Sequence, residues 1–300
     1  MSLTVKQLTS MGCKQLEEAG ILDAKRDSES LYCHMVGIPA SKMIAEYQYK
    51  VQDLLCDRYF ELIDRRASGE PLQYIVGTTS FMGFPFKTKP GVLIPRLDTE
   101  VLVDDALHII NGGSLRGEIY GLDKKAWDVL DLCTGTGAIG ISIAKMGKKC
   151  NVTLSDISPE AIDVAKENAR LNGVEKKVKI VEGDMFTPFD GRFGSKKFDM
   201  IISNPPYIPT DIIGTLQREI KEHEPMLALD GGEDGMDYYR VIAKSADKYL
   251  KKNGILMLEI GSDQLGWVTD LLRSTGVFSD VRGYKDLVGN DRVVFAIKRS

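Results

Sequence analysis

From Thr4 to about Gly69, apolar residues recur at spacings of three and four, as in Val51, Leu54, Leu55, Tyr59, Leu62 and Ile63. That period matches one face of an α-helix and predicts a helical N-terminal region. Between Gly69 and Pro95 the pattern gives way to GEPLQYIVGTTSFMGFPFKTKPGVLIP, crowded with glycine, proline and aromatic residues. Such a texture predicts a short β-hairpin and connector, and with it a domain boundary.

Beyond Pro95, short apolar runs alternate with helical patterns: WDVLDL (127–132), NVTLSD (151–156), KVKIVEGD (177–184), FDMIISN (198–204), GILMLEI (254–260) and RVVFAIK (292–298). Strand and helix in alternation predict an α/β domain with a doubly wound, mostly parallel sheet. One helix is fully punctuated: Ser158 as N-cap, Pro159 at the first position and Gly173 as terminator. The polar, glycine-rich run NGGSLRGEIYGLDKKA (111–126) is expected to be an exposed loop. The resulting division is 1–75 helical, 76–95 hairpin and linker, and 96–300 α/β.

Composition narrows the function classes. The 300 residues hold 39 Lys and Arg against 43 Asp and Glu, a net charge of −4, so no basic excess exists to neutralise duplex nucleic acid. Cys13, Cys33, Cys56, Cys133 and Cys150 are odd in number and show no C-x-x-C pairing, which points to a reducing compartment and no structural metal. The first twenty residues lack the apolar core of a signal peptide, and no apolar stretch reaches the ~18 residues of a membrane span. A cytoplasmic, monomeric protein is expected.

Candidate chemistry sits where strands end. Gly135, Gly137 and Gly140 in VLDLCTGTGAIG satisfy G-x-G-x-x-G between a strand and a helix, a turn that lets backbone approach a ligand or merely packs tightly. Asp156, at the end of the next strand, can accept both hydroxyls of a ribose or cap the helix after it. Asp184 can accept from an adenine amine, with Met185 and Phe186 as apolar contacts to the ring, or stand as a solvated loop carboxylate. Together these imply an adenosine-containing cofactor, either NAD or S-adenosylmethionine. Asp131 would oppose a pyrophosphate and suit a sulfonium and an ammonium, which favours S-adenosylmethionine.

The fourth strand ends in Asn204-Pro205-Pro206-Tyr207. Methyl transfer to a planar NH2 group benefits from acceptors that orient its two N–H bonds, and the Asn204 side-chain oxygen and Pro205 carbonyl are suitable. The prolines restrict the backbone, and Tyr207 would stack on the flat amide or base. His34, His108 and His223 lack metal-ligand spacing.

The NPPY stretch after a DLCTGTGAIG turn resembles amino-methyltransferases, and nearly the whole chain resembles the peptide chain release factor glutamine methyltransferases, the HemK/PrmC family. PLQYIVG (71–77), PGVLIPRLDTE (90–100), EPMLALDGGEDGMDYYR (224–240) and KDLVGNDRVVFA (285–296) extend that likeness. The resemblance implies a Rossmann-like, seven-stranded S-adenosylmethionine-dependent fold that methylates the glutamine of a Gly-Gly-Gln loop in class I release factors, with the helical domain helping to hold them. It further implies cofactor contacts from Cys133, Thr134, Gly135, Thr136, Gly137, Asp156, Met185 and Asn204, and a glutamine site formed by Asn204 to Tyr207. Arg96, Thr99 and Glu100 are candidates for the substrate mouth, although Asp98 and Thr99 can equally cap the next helix. The alternatives are methylation of adenine in nucleic acid, a noncatalytic adenosine-binding module, and an NAD-dependent dehydrogenase.

Overall fold

A computed structural model describes residues 3–112, 114–119, 124–191 and 195–299. The chain divides into two compact units, one of residues 1–78 with 217–223, the other of 79–216 with 224–300. The helical unit thus draws seven residues from inside the segment that the sequence division assigns wholly to the α/β domain.

The helical unit contains α1 (Val5–Glu18), α2 (Ala24–Val36), α3 (Met43–Glu46), α4 (Asp53–Ala67) and α5 (Leu72–Val76). Thr4 and Gln7 form a reciprocal capping box that starts α1. Val5, Leu8, Leu31, Tyr59 and Ile63 meet in one core, and Gly12 leaves room for the Tyr59 ring, whose hydroxyl would lie 2.3 Å from an added Cβ. Arg66 donates to the buried Asp27 at 2.8 Å. Leu54, read as part of the apolar face, is exposed, because α4 begins only at Asp53 and its first turn lies outside the core.

The second unit opens with the predicted hairpin, β1 (Thr78–Phe81) and β2 (Phe84–Lys87), followed by α6 (Thr99–Gly112). The supposed loop at 111–126 carries a small ladder, β3 (Ser114–Leu115) with β4 (Glu118–Ile119); positions 113 and 120–123 lie outside the described residues. Then come β5 (Trp127–Leu132), α7 (Ala138–Met146), β6 (Cys150–Asp156), α8 (Pro159–Leu171), β7 (Val178–Glu182) and β8 (Phe198–Ser203). Three short helices, α9 (Thr210–Ile213), α10 (Arg218–His223) and α11 (Met226–Leu229), lead to α12 (Asp237–Tyr249) and β9 (Leu250–Glu259). The chain finishes with α13 (Leu265–Ser274), β10 (Phe278–Lys285) and β11 (Asp291–Lys298).

The seven-stranded sheet runs β10-β11-β9-β8-β5-β6-β7. β7, β6, β5, β8 and β9 are parallel, while β11 is antiparallel to both its neighbours. β10 is absent from the strands read off the sequence, because FSDVRGYK at a sheet edge is half exposed and carries no apolar run. Strand parity builds two cores. Val129, Ile202, Met257 and Phe295 face α6, α7 and α8; Leu130, Ile201, Leu258 and Val294 face α12 and α13. Order reverses at β5, whose neighbours β6 and β8 are followed by crossovers in opposite directions, and this opens a crevice at the carboxyl ends of those strands.

Candidate active site

That crevice is a cleft of about 990 Å³ including its open mouth, walled by residues following β5, β6, β7 and β8. Cys133, Thr134, Gly135 and Thr136 form its floor after β5. Cys133 has φ +59°, in the left-handed region that glycine occupies without strain, and burial pushes its thiol upward, so it stays protonated. At Gly135 (φ +54°), no described residue beyond its two chain neighbours comes within 4 Å of the place a Cβ would take, so the backbone there is open to a ligand.

Asp156 takes the helix-start role that the sequence allowed and stands on the cleft wall. Its Oδ1 accepts from Ser158 N at 3.0 Å, steadying the start of α8, and its Oδ2 accepts from Gly135 N at 2.8 Å, with the side chain on the cleft wall. Burial raises its pKa, against the lowering effect of those backbone donors. Ser158 Oγ accepts from Ala161 N at 3.2 Å, the cap expected from the sequence. Asp184 and Met185 line the cleft after β7, and Met185 Sδ lies 3.8 Å from Cys133 Sγ.

Six sequence-derived candidates are placed away from the cleft: Asp131, Gly137, Phe186 and Glu100, and, in the NPPY segment, Pro205 and Tyr207. Asp131 is fully buried, and parity on β5 turns it toward α7, where Oδ2 accepts from Thr134 Oγ1 at 2.5 Å and Gly140 N at 2.8 Å. It ties the glycine turn together from behind rather than facing a cofactor, and burial pushes its carboxyl up to about 7. Gly137 (φ +83°) serves packing: a Cβ would meet Ile141 Cδ1 at 2.7 Å and Leu154 Cδ2 at 3.2 Å. Phe186 is buried in the second core, stacked on Tyr249 with ring centroids 4.6 Å apart. Glu100 reaches the hairpin and accepts from Met82 N at 2.6 Å, satisfying a backbone donor in a turn with Met82 at φ +51°.

The NPPY segment leaves β8 at the same edge. Asn204 and Pro206 line the cleft, and Asn204 Nδ2 donates to Thr99 Oγ1 at 3.2 Å, which leaves Oδ1 as the opposite edge of that amide. Thr99 opens α6 and is buried, so it supports Asn204 as well as lining the cleft. Pro205 is buried and does not line the cleft. The Tyr207 ring also lies off the cleft; its hydroxyl points to Glu259 Oε1 at 3.5 Å and its carbonyl accepts from Gln264 Nε2 at 2.9 Å. Arg96 lines the mouth and donates to the buried Glu224 at 2.6 Å.

Sequence reasoning passed over Tyr238, Leu227 and Phe81 in the cleft wall and Glu259 beneath it. The first two fall within the EPMLALDGGEDGMDYYR hallmark, a signal of importance without an assigned role. His223, the histidine nearest in sequence to that hallmark, belongs to the helical unit. Among the described residues lining the cleft there is no histidine or lysine, and none of the described residues forms a metal-holding group. Two carboxylates, Asp156 and Asp184, face a single cation, Arg96, whose charge Glu224 offsets. Such a field favours a cationic ligand over a pyrophosphate.

Comparison with known proteins agrees with that chemistry. Residues 123–276 match a methyltransferase domain family, and residues 7–77 match the PrmC N-terminal domain. A release factor glutamine methyltransferase from Clostridium acetobutylicum is 40% identical over 91% of this chain and 90% of its own length. One from Moorella thermoacetica is 36% identical over 99% of both. Among solved structures, a methyltransferase from Pyrococcus furiosus aligns with TM-score 0.50 at 17% identity, over 74% of this chain and 92% of that one, a likeness of fold alone. No described helix is long and apolar enough to cross a membrane. With identity of this degree over the length of its relatives, and a doubly wound sheet that opens on a cleft walled in part by Asn204 and Pro206, the chain belongs to the release factor glutamine methyltransferase family.

Proposed function

We propose that this enzyme methylates the side-chain amide nitrogen of the Gly-Gly-Gln glutamine in class I peptide chain release factors, with S-adenosylmethionine as donor. The fit of that cofactor rests on the open cradle at Gly135 and on the net negative wall of Asp156 and Asp184. When bound, S-adenosylmethionine supplies a methyl group made electrophilic by a positive sulfur. Asp156 would hold the ribose, the backbone from Cys133 to Thr136 the amino-acid portion, and Asp184 with Met185 the adenine. NAD is disfavoured, because among the described residues lining the cleft the cation Arg96 is already held by Glu224 rather than left to meet a pyrophosphate.

An amide nitrogen is a weak nucleophile, since its lone pair is delocalised into the carbonyl. Acceptors fixed on its N–H bonds hold the NH2 plane still, so the chain contributes orientation rather than a strong base. Asn204 Oδ1 fills this role: with Nδ2 committed to Thr99, the acceptor edge is the one left for the glutamine. Pro205 and Pro206 restrict the backbone that carries it, and the proton can leave to solvent once the methyl is on nitrogen. Tyr207 supports this loop through its hydroxyl and carbonyl bonds. The helical unit, matched to the PrmC N-terminal domain, is assigned to holding the release factor.

The single observation that carries the reading is the Asn204 amide, anchored at its nitrogen beside the cleft. Mass spectrometry of a release factor after incubation with enzyme and S-adenosylmethionine would show one added methyl on that glutamine, and Asn204→Ala would abolish it. Full activity in that variant, or label appearing on RNA or DNA instead, would defeat the assignment.

A further inference from the structure

Two of the four residues in the NPPY turn, Pro205 and Pro206, carry no N–H, so the turn cannot be tied by donation from its own middle. Its far end is held from outside, at Tyr207. The Tyr207 carbonyl accepts from Gln264 Nε2 at 2.9 Å, and the next residue, Ile208, donates its N–H to the Leu229 carbonyl at 3.0 Å and accepts from Gly231 N at 2.9 Å. The near end, Asn204, follows β8 directly and donates to Thr99.

Gln264 is buried in the loop between β9 and α13. That loop folds back on it: Gln264 N donates to the Gly261 carbonyl at 3.0 Å, and Gly261 N donates to Gln264 Oε1 at 2.9 Å. A backbone N–H can only donate, which fixes the amide oxygen on that side. The NH2 edge therefore faces two groups that can only accept, the Tyr207 carbonyl and, at 3.3 Å, the Gly235 carbonyl. With both edges matched to backbone groups, the amide has one orientation. Gly231 and Gly235, from the EPMLALDGGEDGMDYYR hallmark, leave room for this contact. A Cβ on Gly235 (φ +71°) would lie 2.4 Å from the Tyr207 oxygen and 2.7 Å from Gln264 Nε2, and one on Gly231 would lie 2.7 Å from Tyr207 Cα. The hallmark thus lays glycine backbone against the turn, and Gln264 joins the two segments through a single NH2 group.

Resting on the methyltransferase reading above, we propose that Gln264 is a positioning residue whose amide fixes the Tyr207 end of the NPPY turn, so that Asn204 Oδ1 meets the glutamine NH2 in one geometry. Gln264 stands off the cleft wall and acts through Tyr207. Because the prolines fix φ at 205 and 206, a shift of Tyr207 carries back toward Asn204 instead of being absorbed within the turn. A misplacement of about 1 Å in an orienting group can cost on the order of 100-fold in rate. The Cys133–Thr136 floor follows β5 and Asp156 ends β6, so the loss falls on turnover rather than on cofactor binding.

The test compares the wild-type enzyme with Gln264→Glu and Gln264→Met, reading kcat on the release factor and, by calorimetry, affinity for S-adenosylhomocysteine across pH. Glutamate keeps the side-chain length and the acceptor for Gly261 N. Ionised, it sets oxygen lone pairs against two carbonyls; protonated, it regains a donor. Its kcat is expected to fall about tenfold or more at alkaline pH and to recover toward wild type as pH falls. The ratio to wild type at each pH cancels the titration of nearby Glu259, whose backbone carbonyl and Gln264 Oε1 both contact the Tyr239 hydroxyl, at 2.9 and 3.5 Å. Methionine, similar in size and without a donor, should lose about tenfold or more in kcat at every pH, and both variants should bind S-adenosylhomocysteine within about threefold of wild type. The proposal is overturned by a kcat within about twofold of wild type in both variants, by a glutamate defect that does not ease at acid pH, or by cofactor affinity that falls in step with kcat. Failure of both variants to fold overturns it too; if only Gln264→Glu fails to fold, the split between kcat and affinity in Gln264→Met decides. A wild-type chain that leaves the release factor unmethylated refutes the functional reading, whereas methylation by wild type and by both variants at full rate refutes the positioning role alone.

Discussion

Replacing Asp131 by alanine separates a turn held from behind from a carboxylate that touches the cofactor. The substitution leaves Gly140 N–H and the Thr134 hydroxyl buried without their acceptor. At roughly 1–3 kcal/mol for each stranded donor, the loss is about 2–6 kcal/mol, partly offset because the burial cost of the charge disappears. That burial cost follows from the carboxyl's rise from 3.8 to about 7, or about 4 kcal/mol. The folded state binds the proton more tightly than the unfolded one, so stability is greatest below pH 4 on this account and is lost as pH rises to about 7. Glu259, raised from 4.5 to about 7, adds a similar slope of about 3 kcal/mol. Asp131→Asn keeps one oxygen for both donors, so it should fold with near wild-type stability at neutral pH while removing about half of that slope. Urea denaturation across pH, with calorimetric titration of S-adenosylhomocysteine, measures both effects. Alanine should weaken cofactor binding about tenfold or more by loosening the Cys133–Thr136 floor, and asparagine should leave it within about threefold. A large affinity loss in Asp131→Asn would refute the account, because it would mean that the carboxylate charge touches the ligand, and an unchanged pH slope would refute it by showing that the buried Asp131 carboxyl does not carry the slope.

Gly137→Ala must place a Cβ at φ +83° and 2.7 Å from Ile141 Cδ1, so strain and overpacking together cost about 2–5 kcal/mol; a denaturation change under about 1 kcal/mol would contradict the packing role. Glu100→Ala strands Met82 N–H in the hairpin turn, lowering stability by about 1–3 kcal/mol without altering cofactor affinity. Phe186→Ala removes a ring stacked on Tyr249 in the second core and should cost about 3–5 kcal/mol. Its folded fraction should bind S-adenosylhomocysteine as the wild type does, whereas selective loss of binding would restore Phe186 to the cofactor site.

Local patterns made much of the fold legible. The short apolar runs of β5, β6 and β8 are bounded by turn residues, and the Ser158-Pro159 start of α8 caps the helix it predicts, because apolar run and cap are decided within a few residues. The same locality placed Asp156, Asp184 and Asn204 at strand ends, and in an open parallel sheet the strand ends on one edge must converge. β10 was invisible because an edge strand buries only part of one face, and its partners lie in a neighbouring strand rather than in its own pattern.

What the sequence alone determined, then, was the alternation of elements, the sheet edge that carries the chemistry and the family to which the chain belongs. Tertiary structure decided which strand-end side chains face the cleft. Asp131 and Asp156 read alike along the chain, yet strand parity and the packing of α7 bury one, while the crevice at the order reversal exposes the other. Glu259 was beyond reach for a related reason: Tyr207, whose hydroxyl points to it, is 52 residues away in sequence, and only the packing of the sheet brings the two together.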